Sequence, residues 1–430
     1  MRLSNRSSVW VIAGLLVALF GAAAAPAPLY AVYQAKWHFS TTTLTIVFAV
    51  YVGTLLATLL TVGSLSDHVG RRPVGCTALA LAAIASALFL TADGVTALII
   101  ARAVQGVAIG LTTGSLVAAL LDLRPQGTTA ALISSVAPSV GLSGGALATS
   151  ALVQYGPIPT RLIWWILLAV FAVGVALVFA MPESGARSPG ALRSITPRLG
   201  VPASSRAPFA VAAPCFIGVW SLGGFYLSLA PTLTGELVHS HNLLWGGLSI
   251  CLLFGSGAIA STAGRNQDAQ LMMLGGCSGL LSGVAVTILA IATSTPWLLF
   301  AGTAIAGIGF GPAFAGAYRT VIASASPVDR AALTASVFTV IYVAFGAPAL
   351  IAGIAATHYG LRHTAIVYAA AVGALATGAL SIMIARRERT SRRGTPAPGP
   401  MVPAPPGPCT IPPAAVGTPE DPFVQQPARA

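Results

Sequence analysis

Twelve long apolar stretches, separated by short polar connections, constrain this chain more than any other feature. Most are about as long as the roughly 20-residue helix that crosses the hydrocarbon core of a bilayer. We number them segments 1 to 12, at residues 9–33, 41–64, 73–92, 95–121, 128–152, 161–181, 208–232, 240–262, 269–290, 295–321, 330–354 and 361–385. Only 7% of the residues are charged, against about 25% in soluble domains. The sequence therefore predicts an all-α membrane protein with twelve transmembrane helices.

The basic residues of the chain sort by side of the membrane. If the connections alternate between the two faces and the first lies outside, eighteen basic residues fall on the cytoplasmic side. Lys36, Arg161 and Arg362 fall outside, and Arg102 lies within segment 4. Because basic residues concentrate on the cytoplasmic side of membrane proteins, we predict a multi-pass protein of the cytoplasmic membrane with both termini inside. The net charge of +12 then indicates contact with anionic lipid rather than with nucleic acid.

The chain divides into two halves of six segments. The longest connection carries four arginines together with proline and serine, and it separates segment 6 from segment 7. Beyond the last segment the sequence is rich in proline and alanine, which cannot bury enough apolar surface to become ordered. We predict a first six-helix bundle, a cytoplasmic inter-bundle loop, a second six-helix bundle and a disordered cytoplasmic tail, at 1–181, 182–207, 208–386 and 387–430.

The two halves also repeat each other weakly. At one constant offset, Gly106 corresponds to Gly307 and Gly110 to Gly311. Internal repeats related by an axis normal to the membrane are typical of transporters that hold their substrate near the midplane, between the halves. The repeat predicts two pseudo-symmetric bundles.

The connection between segments 2 and 3 is unusually polar. It reads Gly63-Ser-Leu-Ser-Asp67-His-Val-Gly70-Arg71-Arg72-Pro73. Asp67 and Arg71 are four residues apart, so one helical turn brings their charges together. Gly63 and Gly70 permit a sharp reversal and close backbone approach. An alternative is that Arg71 and Arg72 only anchor the topology.

The pattern G-x-L-S-D-x-x-G-R-R-P resembles the cytoplasmic signature between helices 2 and 3 of major facilitator superfamily transporters. The amino-acid sequence is similar to those of bacterial drug and sugar efflux members of that family. In that family the Asp, the following Arg and an acid that ends helix 4 form a charge relay. The matching residues are Asp67, Arg71 and Asp122. The resemblance implies that they latch the two halves on the cytoplasmic side, with Asp67 facing the start of segment 11 near Arg330. His68 stands where the family usually has Arg.

Arg102 is the one basic residue that lies well away from the ends of its segment. An ionised side chain at such a place is costly and usually functional. The run Arg102-Ala-Val-Gln105-Gly106 resembles the family's helix-4 motif R-x-x-Q-G, which is implicated in proton coupling. The alternative is a buried arginine satisfied by carbonyl groups and packing. All ten acidic residues lie at segment ends, in loops or in the tail. A proton-coupling acid would therefore have to be a boundary residue such as Glu236.

Glycines recur at four-residue spacing in segments 4 and 5, which allows close packing of helices. They are Gly106, Gly110 and Gly114 in segment 4, and Gly141 and Gly145 in segment 5. The run that begins at Pro138 and includes Gly141, Gly144 and Gly145 also resembles the family's helix-5 antiporter motif G-P-x-x-G-G, with Leu142 where proline belongs. Helix packing and an antiporter role both remain open.

Segments 1 and 7 combine aromatic residues with helix-breaking prolines. The candidates for contact with a substrate are Tyr30 in segment 1 and Trp220 and Tyr226 in segment 7, with Tyr342 in segment 11 as a weaker one. Broken helices at corresponding places in two halves indicate a binding site or a gate, although such aromatics also occur at the membrane interface. Together with Arg102 and Gln105, these side chains favour a neutral, amphipathic or anionic solute over a polycation.

The sequence shows no P-loop, metal-ligand cluster or nucleophile elbow. We therefore predict that the protein is not an enzyme and uses no cofactor or metal. The preferred interpretation is a monomeric secondary transporter that exports a small organic solute by alternating access, with protons as the counter-ion. Import of a small metabolite, or a transport-inactive sensor or scaffold with the same fold, remain alternatives.

Overall fold

The computed structural model describes residues 4–63, 65–123, 128–185 and 199–393. Within these ranges every regular element is an α-helix. In chain order the helices are α1 Asn5–Ala24, α2 Pro26–Trp37, α3 Thr41–Val62, α4 Ser66–Val69, α5 Arg71–Leu90, α6 Val95–Leu123, α7 Thr128–Tyr155, α8 Leu162–Phe179, α9 Ala203–Ser228, α10 Ala230–Val238, α11 Leu244–Ala263, α12 Ala269–Thr293, α13 Pro296–Ala323, α14 Arg330–Tyr359 and α15 Leu361–Arg393.

Twelve spans in the described chain are long and apolar enough to cross a membrane, which confirms the predicted number. The first span contains both α1 and α2, which are joined at Ala25. The seventh is α9, followed after one residue by α10. Proline lies in the first turn of α2 and of α10, where its missing N–H group costs no helical hydrogen bond. The first and seventh spans therefore break at corresponding places.

Two predicted boundaries differ from the observed helices. Helix α9 begins at Ala203, inside the predicted inter-bundle loop, directly after Pro202, whose backbone is extended with a ψ of 151°. Helix α15 continues to Arg393, so residues 387–393 of the predicted tail are helical. The rest of that tail, 394–430, lies outside the described residues, as do residues 186–198 of the loop.

The helices pack as two similar sets. In the first set α6 packs on α3 and α5, and α1 packs on α7. In the second set α13 packs on α11 and α12, and α9 packs on α14, in the same pattern. Helix α3 meets α14 and α7 meets α11 where the two sets join. This is the predicted fold of two pseudo-symmetric six-helix bundles.

The repeated glycines explain part of this symmetry. Gly110 faces α3, where an added Cβ would lie 2.7 Å from Cβ of Thr58, and Gly106 faces the same helix. Gly307 and Gly311, their counterparts, face α11. Because a glycine has no side chain, the backbones of each pair of helices approach closely.

The crossings give the molecule two faces. We call the face where α1 begins the terminal face, and the one where α2 ends the opposite face. Near the opposite face, hydrogen bonds join the bundles: the hydroxyls of Thr42 and Thr357 lie 3.0 Å apart. The backbone N–H of Leu243 also donates to Oε1 of Gln154 at 3.1 Å. The bundles are therefore tied together at that face.

Candidate functional site

Arg71 is the centre of a polar cluster at the terminal face. Its Nη1 donates to the carboxylate of Asp67 and, at 2.7 Å, to Oγ of Ser66. Its Nε lies 3.1 Å from Oδ2 of Asp122, at the end of α6. The hydroxyl of Ser66 in turn donates to the carbonyl oxygen of Gly114. The structure thus brings together the three charged residues predicted for the latch. The planar guanidinium group of Arg71 donates to Asp67 through Nη1 and to Asp122 through Nε.

Glu183 belongs to the same cluster, although the sequence analysis did not select it. Its Oε1 accepts hydrogen bonds from the backbone N–H groups of Arg71, at 2.8 Å, and Arg72, at 3.3 Å. The carboxylate therefore caps the N-terminus of α5, where unpaired N–H groups and the helix dipole favour an anion. The available signal was an isolated acid just after segment 6, at the same predicted face. We call Ser66, Asp67, Arg71, Asp122 and Glu183 the latch cluster.

The glycines of the polar connection have separate roles. Gly70 has a φ of 113°, a backbone conformation that other residues rarely adopt. A Cβ at Gly70 would also lie 2.8 Å from Oε2 of Glu183. Gly63 ends α3 and meets Gly114 of α6, so these two helices touch beside the latch cluster. Arg72 lies outside the cluster, with Cζ 4.3 Å from the ring centre of Phe179.

Arg102 lies in a second polar network, buried within the first bundle. Its side chain is fully buried. Nε donates to the hydroxyl of Tyr30 at 2.8 Å, and Nη1 donates to Oε1 of Gln105 at 2.7 Å and to the carbonyl of Ala23 at 3.1 Å. Gln105 donates in turn to the carbonyl of Ala22 at 2.8 Å. Two carbonyl oxygens at the end of α1, just before the break between α1 and α2, thus accept hydrogen bonds from this network.

Within the part of the chain that the structure describes, the buried charge of Arg102 forms no ion pair with an acid. Each of its described hydrogen-bond partners is neutral. A buried cation is costly unless hydrogen bonds satisfy it, and this one is also stabilised by aromatic faces. Its Cζ lies 4.9 Å from the ring centre of Tyr51 and 5.4 Å from that of Tyr30.

A group of rings near the middle of four spans connects this network to the second bundle. We call Phe48, Tyr51, Trp220, Phe310 and Phe345 the midspan aromatic cluster. The ring centres of Phe48 and Phe345, which belong to different bundles, lie 5.1 Å apart. Phe48 also contacts Tyr51, and Trp220 contacts Phe345 at 5.5 Å. A continuous path of side chains therefore leads from Arg102 across the junction of the bundles to Trp220.

Trp220 has a polar atom without a partner. Its Nε1 is buried and has no hydrogen-bond acceptor in the structure. Tyr226, by contrast, has its hydroxyl 2.6 Å from Oγ1 of Thr303. Tyr342 stacks on Phe338 at 6.0 Å between ring centres. Of the aromatic candidates, Trp220 joins the midspan aromatic cluster and Tyr30 contacts Arg102, whereas Tyr226 bonds within the second bundle.

The motif in α7 faces α1. A Cβ on Gly141 would lie 2.7 Å from Cβ of Phe20, and one on Gly145 would overlap the backbone of Gly21. Gly144 has no such neighbour within 4 Å, and Pro138 lies inside the helix. Two of the three glycines therefore allow close packing against the helix whose end serves Arg102.

Glu236 is an acid near the opposite face, in α10. Its side chain is partly exposed, and His239 approaches its carbonyl oxygen at 2.7 Å through Nδ1. Partial burial raises the pKa of the Glu236 carboxyl above its usual value, while the guanidinium of Arg362 acts in the other direction.

In the ranges that the structure describes, no three potential metal ligands come together.

Twelve spans that are long and apolar enough to cross a membrane, arranged in two pseudo-symmetric bundles, define the class: a multi-pass membrane protein. Residues 10–280 match the sequence profile of the Major Facilitator Superfamily, and the chain belongs to this family. Among curated proteins, none matches the sequence.

Solved structures of other transporters share the fold. The human organic anion transporter MFSD10 (TETRAN) is 17% identical, over 88% of this chain and 100% of that one, with a TM-score of 0.61. The nucleoside transporter NupG is 14% identical, over 89% of this chain and 99% of that one, with a TM-score of 0.65.

Proposed function

We propose that the protein is a secondary active transporter that exports a small organic solute across the cytoplasmic membrane by alternating access. The observation that carries this proposal is the path from Arg102 through Tyr51 and Phe48 to Phe345 and Trp220. A solute bound against it would contact both bundles near the middle of their spans. Its binding would therefore respond to any movement of one bundle against the other.

The latch cluster is proposed to act at the cytoplasmic face. Within the described ranges, more basic residues lie near the terminal face than near the opposite face, which supports the assignment of the terminal face to the cytoplasm. Those near the terminal face include Arg6, Arg71, Arg72, Arg206, Arg265, Arg319 and Arg330, and those near the opposite face are Lys36, Arg161 and Arg362. The bundles are tied together near the opposite face by Thr42 and Thr357. Alternating access requires these contacts to open when the cytoplasmic side closes, and the latch cluster lies where that closure would occur.

The side chains on this path favour a solute with a hydrogen-bond acceptor. Arg102 supplies a positive charge, and Trp220 supplies an unpartnered N–H. The midspan aromatic cluster supplies flat apolar surfaces and contains no acid. An amphipathic molecule with a carbonyl or carboxylate group fits this chemistry, whereas an organic dication does not. The description of MFSD10 as an organic anion transporter is consistent with it.

The substrate assignment predicts a selective effect of Trp220→Phe, which keeps an aromatic ring and removes the N–H. The KM for solutes with an acceptor group should rise about threefold to tenfold, because one neutral hydrogen bond contributes about 0.5–1.5 kcal/mol. Solutes without an acceptor should change little. Initial transport rates at varied solute concentration measure the effect, with Trp297→Phe as control because Trp297 is 67% exposed. Equal KM values for all solutes in the wild type and in Trp220→Phe would contradict the assignment.

Proton antiport predicts a pH response that depends on Glu236. As the pH falls through the raised pKa of this carboxyl, Glu236 takes up a proton at a less acidic pH than an ordinary glutamate and loses its charge. In proteoliposomes with an acidic medium on the Glu236 side, the wild type should move solute toward that side faster than without a gradient. Glu236→Gln, which stays neutral, should lose this acceleration.

The matched control is Asp93→Asn, since Asp93 is an exposed acid near the same face. A wild-type gradient response in Glu236→Gln would contradict the role of this residue. Accumulation away from the acidic side would favour import, and saturable binding without flux would favour a sensor or scaffold.

A further inference from the structure

A cavity of about 510 Å³ lies between α9, α14 and α15, apart from the latch cluster and the midspan aromatic cluster. Ile217 of α9, Ala352 and Ala355 of α14, and Ala371 and Leu375 of α15 are among its lining residues. We call it the α15 groove. The α15 groove shares no lining residue with the path from Arg102 to Trp220. The transport proposed along that path therefore does not explain what the groove is for.

Alanine side chains line the α14 and α15 sides of the groove. Helix α15 approaches α9 at Gly218, where an added Cβ would lie 3.4 Å from Cβ of Leu375 and 3.7 Å from the carbonyl oxygen of Val372. Short alanine side chains do not fill the space that remains on the α14 side.

The wall of the groove offers apolar surface. The hydroxyl of Tyr368 is already used, since it donates to the carbonyl of Ser221 at 2.7 Å. The hydroxyl of Thr364 donates to the carbonyl of Gly360 at 2.9 Å. An occupant therefore finds few polar partners inside the groove, and its buried part must be a hydrocarbon.

The end of the groove near the opposite face is polar. Tyr359 and His363 lie there, beside Arg362 at the start of α15. From His363 to Leu375 the groove follows α15 for about 18 Å, at 1.5 Å per residue. One leaflet contributes about half of the roughly 30 Å hydrocarbon core of a bilayer. The groove is thus about as long as a lipid tail, with polar groups at the level where a headgroup lies.

The side of the groove is open to the surroundings of the helices. Ile351 is 67% exposed and lies eight residues before the end of its span, and Val367 is 56% exposed and lies six residues after the start of its span. At that depth the surrounding medium is lipid hydrocarbon, not water. We propose that the α15 groove binds one acyl chain of a phospholipid from the leaflet at the opposite face, with the headgroup beside His363 and Arg362.

Photo-crosslinking tests this proposal. The full-length protein is reconstituted with phosphatidylcholine that carries a diazirine on one acyl chain, and the labelled peptides are identified by mass spectrometry. Label should concentrate on the residues of α14 and α15 that line the groove. In the double variant Ala355→Phe and Ala371→Phe this label should fall at least about threefold, because two phenyl rings occupy the space and remove the chain's dispersion contacts.

The control is Ala169→Phe, which places the same ring on an exposed position of α8. It should leave the groove label unchanged, and label on α8 in each sample reports whether the bundles remain folded. The single variant Ala371→Phe, at an exposed position, replaces the double variant if that one unfolds. Label spread evenly over all lipid-facing helices, or undiminished in the folded groove variants, would overturn the proposal.

Discussion

Replacing Arg102 by alanine is expected to reduce the transport of every solute by at least about 100-fold, the equivalent of about 2.7 kcal/mol. The change leaves the hydroxyl of Tyr30, the amide oxygen of Gln105 and the carbonyl of Ala23 without their donor inside a buried site. Each such loss costs about 1–3 kcal/mol, and the end of α1 loses one of its two side-chain hydrogen bonds from α6. Initial rates of uptake into proteoliposomes measure the effect.

Two companion variants separate charge from geometry. Arg102→Lys keeps the positive charge but lacks the planar fork of donors, so we expect transport between that of the wild type and that of the alanine variant. Arg161→Ala removes an exposed arginine near the opposite face and should transport normally. If Arg102→Ala unfolds, the lysine variant carries the test. Normal transport by a folded Arg102→Ala protein would exclude Arg102 from the transport pathway.

The second large effect is expected for Arg71→Ala, which removes the cation of the latch cluster. Asp67 and Asp122 would each lose their ion pair with the guanidinium group of Arg71, and Ser66 would lose a donor. We expect the flux of every solute to fall by about tenfold, because charge-assisted hydrogen bonds contribute about 1.5–3 kcal/mol and this network is partly exposed. Transport of several chemically different solutes in parallel shows whether the loss is uniform.

Asp67→Asn should act in the same direction with a smaller effect, since the side chain of Asp67 is 52% exposed. Arg265→Ala is the matched control, because Arg265 follows Gly264 at the end of α11 and is exposed. A loss confined to some solutes would assign Arg71 to substrate recognition and not to closure. The effect of Trp220→Phe, by contrast, is expected to depend on the solute.

Much of the candidate site follows from local sequence. Asp67 and Arg71 are one helical turn apart, and Arg102 and Gln105 are three residues apart, so each pair shares one side of a helix or turn. Both contacts occur in the structure. The contact between Arg71 and Asp122 was available only through the resemblance to the family, because these residues are 51 positions apart.

Other contacts became evident only in three dimensions. Glu183 reaches the start of α5 from a position 112 residues further along the chain. Phe48 and Phe345 were not candidates, because an aromatic residue in an apolar segment has the same sequence signature whether it faces lipid, a bundle core or another bundle. The α15 groove likewise depends on how far α15 stands from α9 and α14, which composition does not reveal.

The sequence alone determined that this protein crosses a membrane twelve times, where most of the crossings begin and end, and which short-range charge pairs form. These properties depend on hydropathy over about 20 residues and on helical periodicity, which are local. The tertiary structure alone decided that Arg102 meets Tyr30, that its network reaches Trp220 across the bundles, and that α15 leaves a groove. These features depend on the rotation and spacing of helices distant in the chain, which side-chain packing sets.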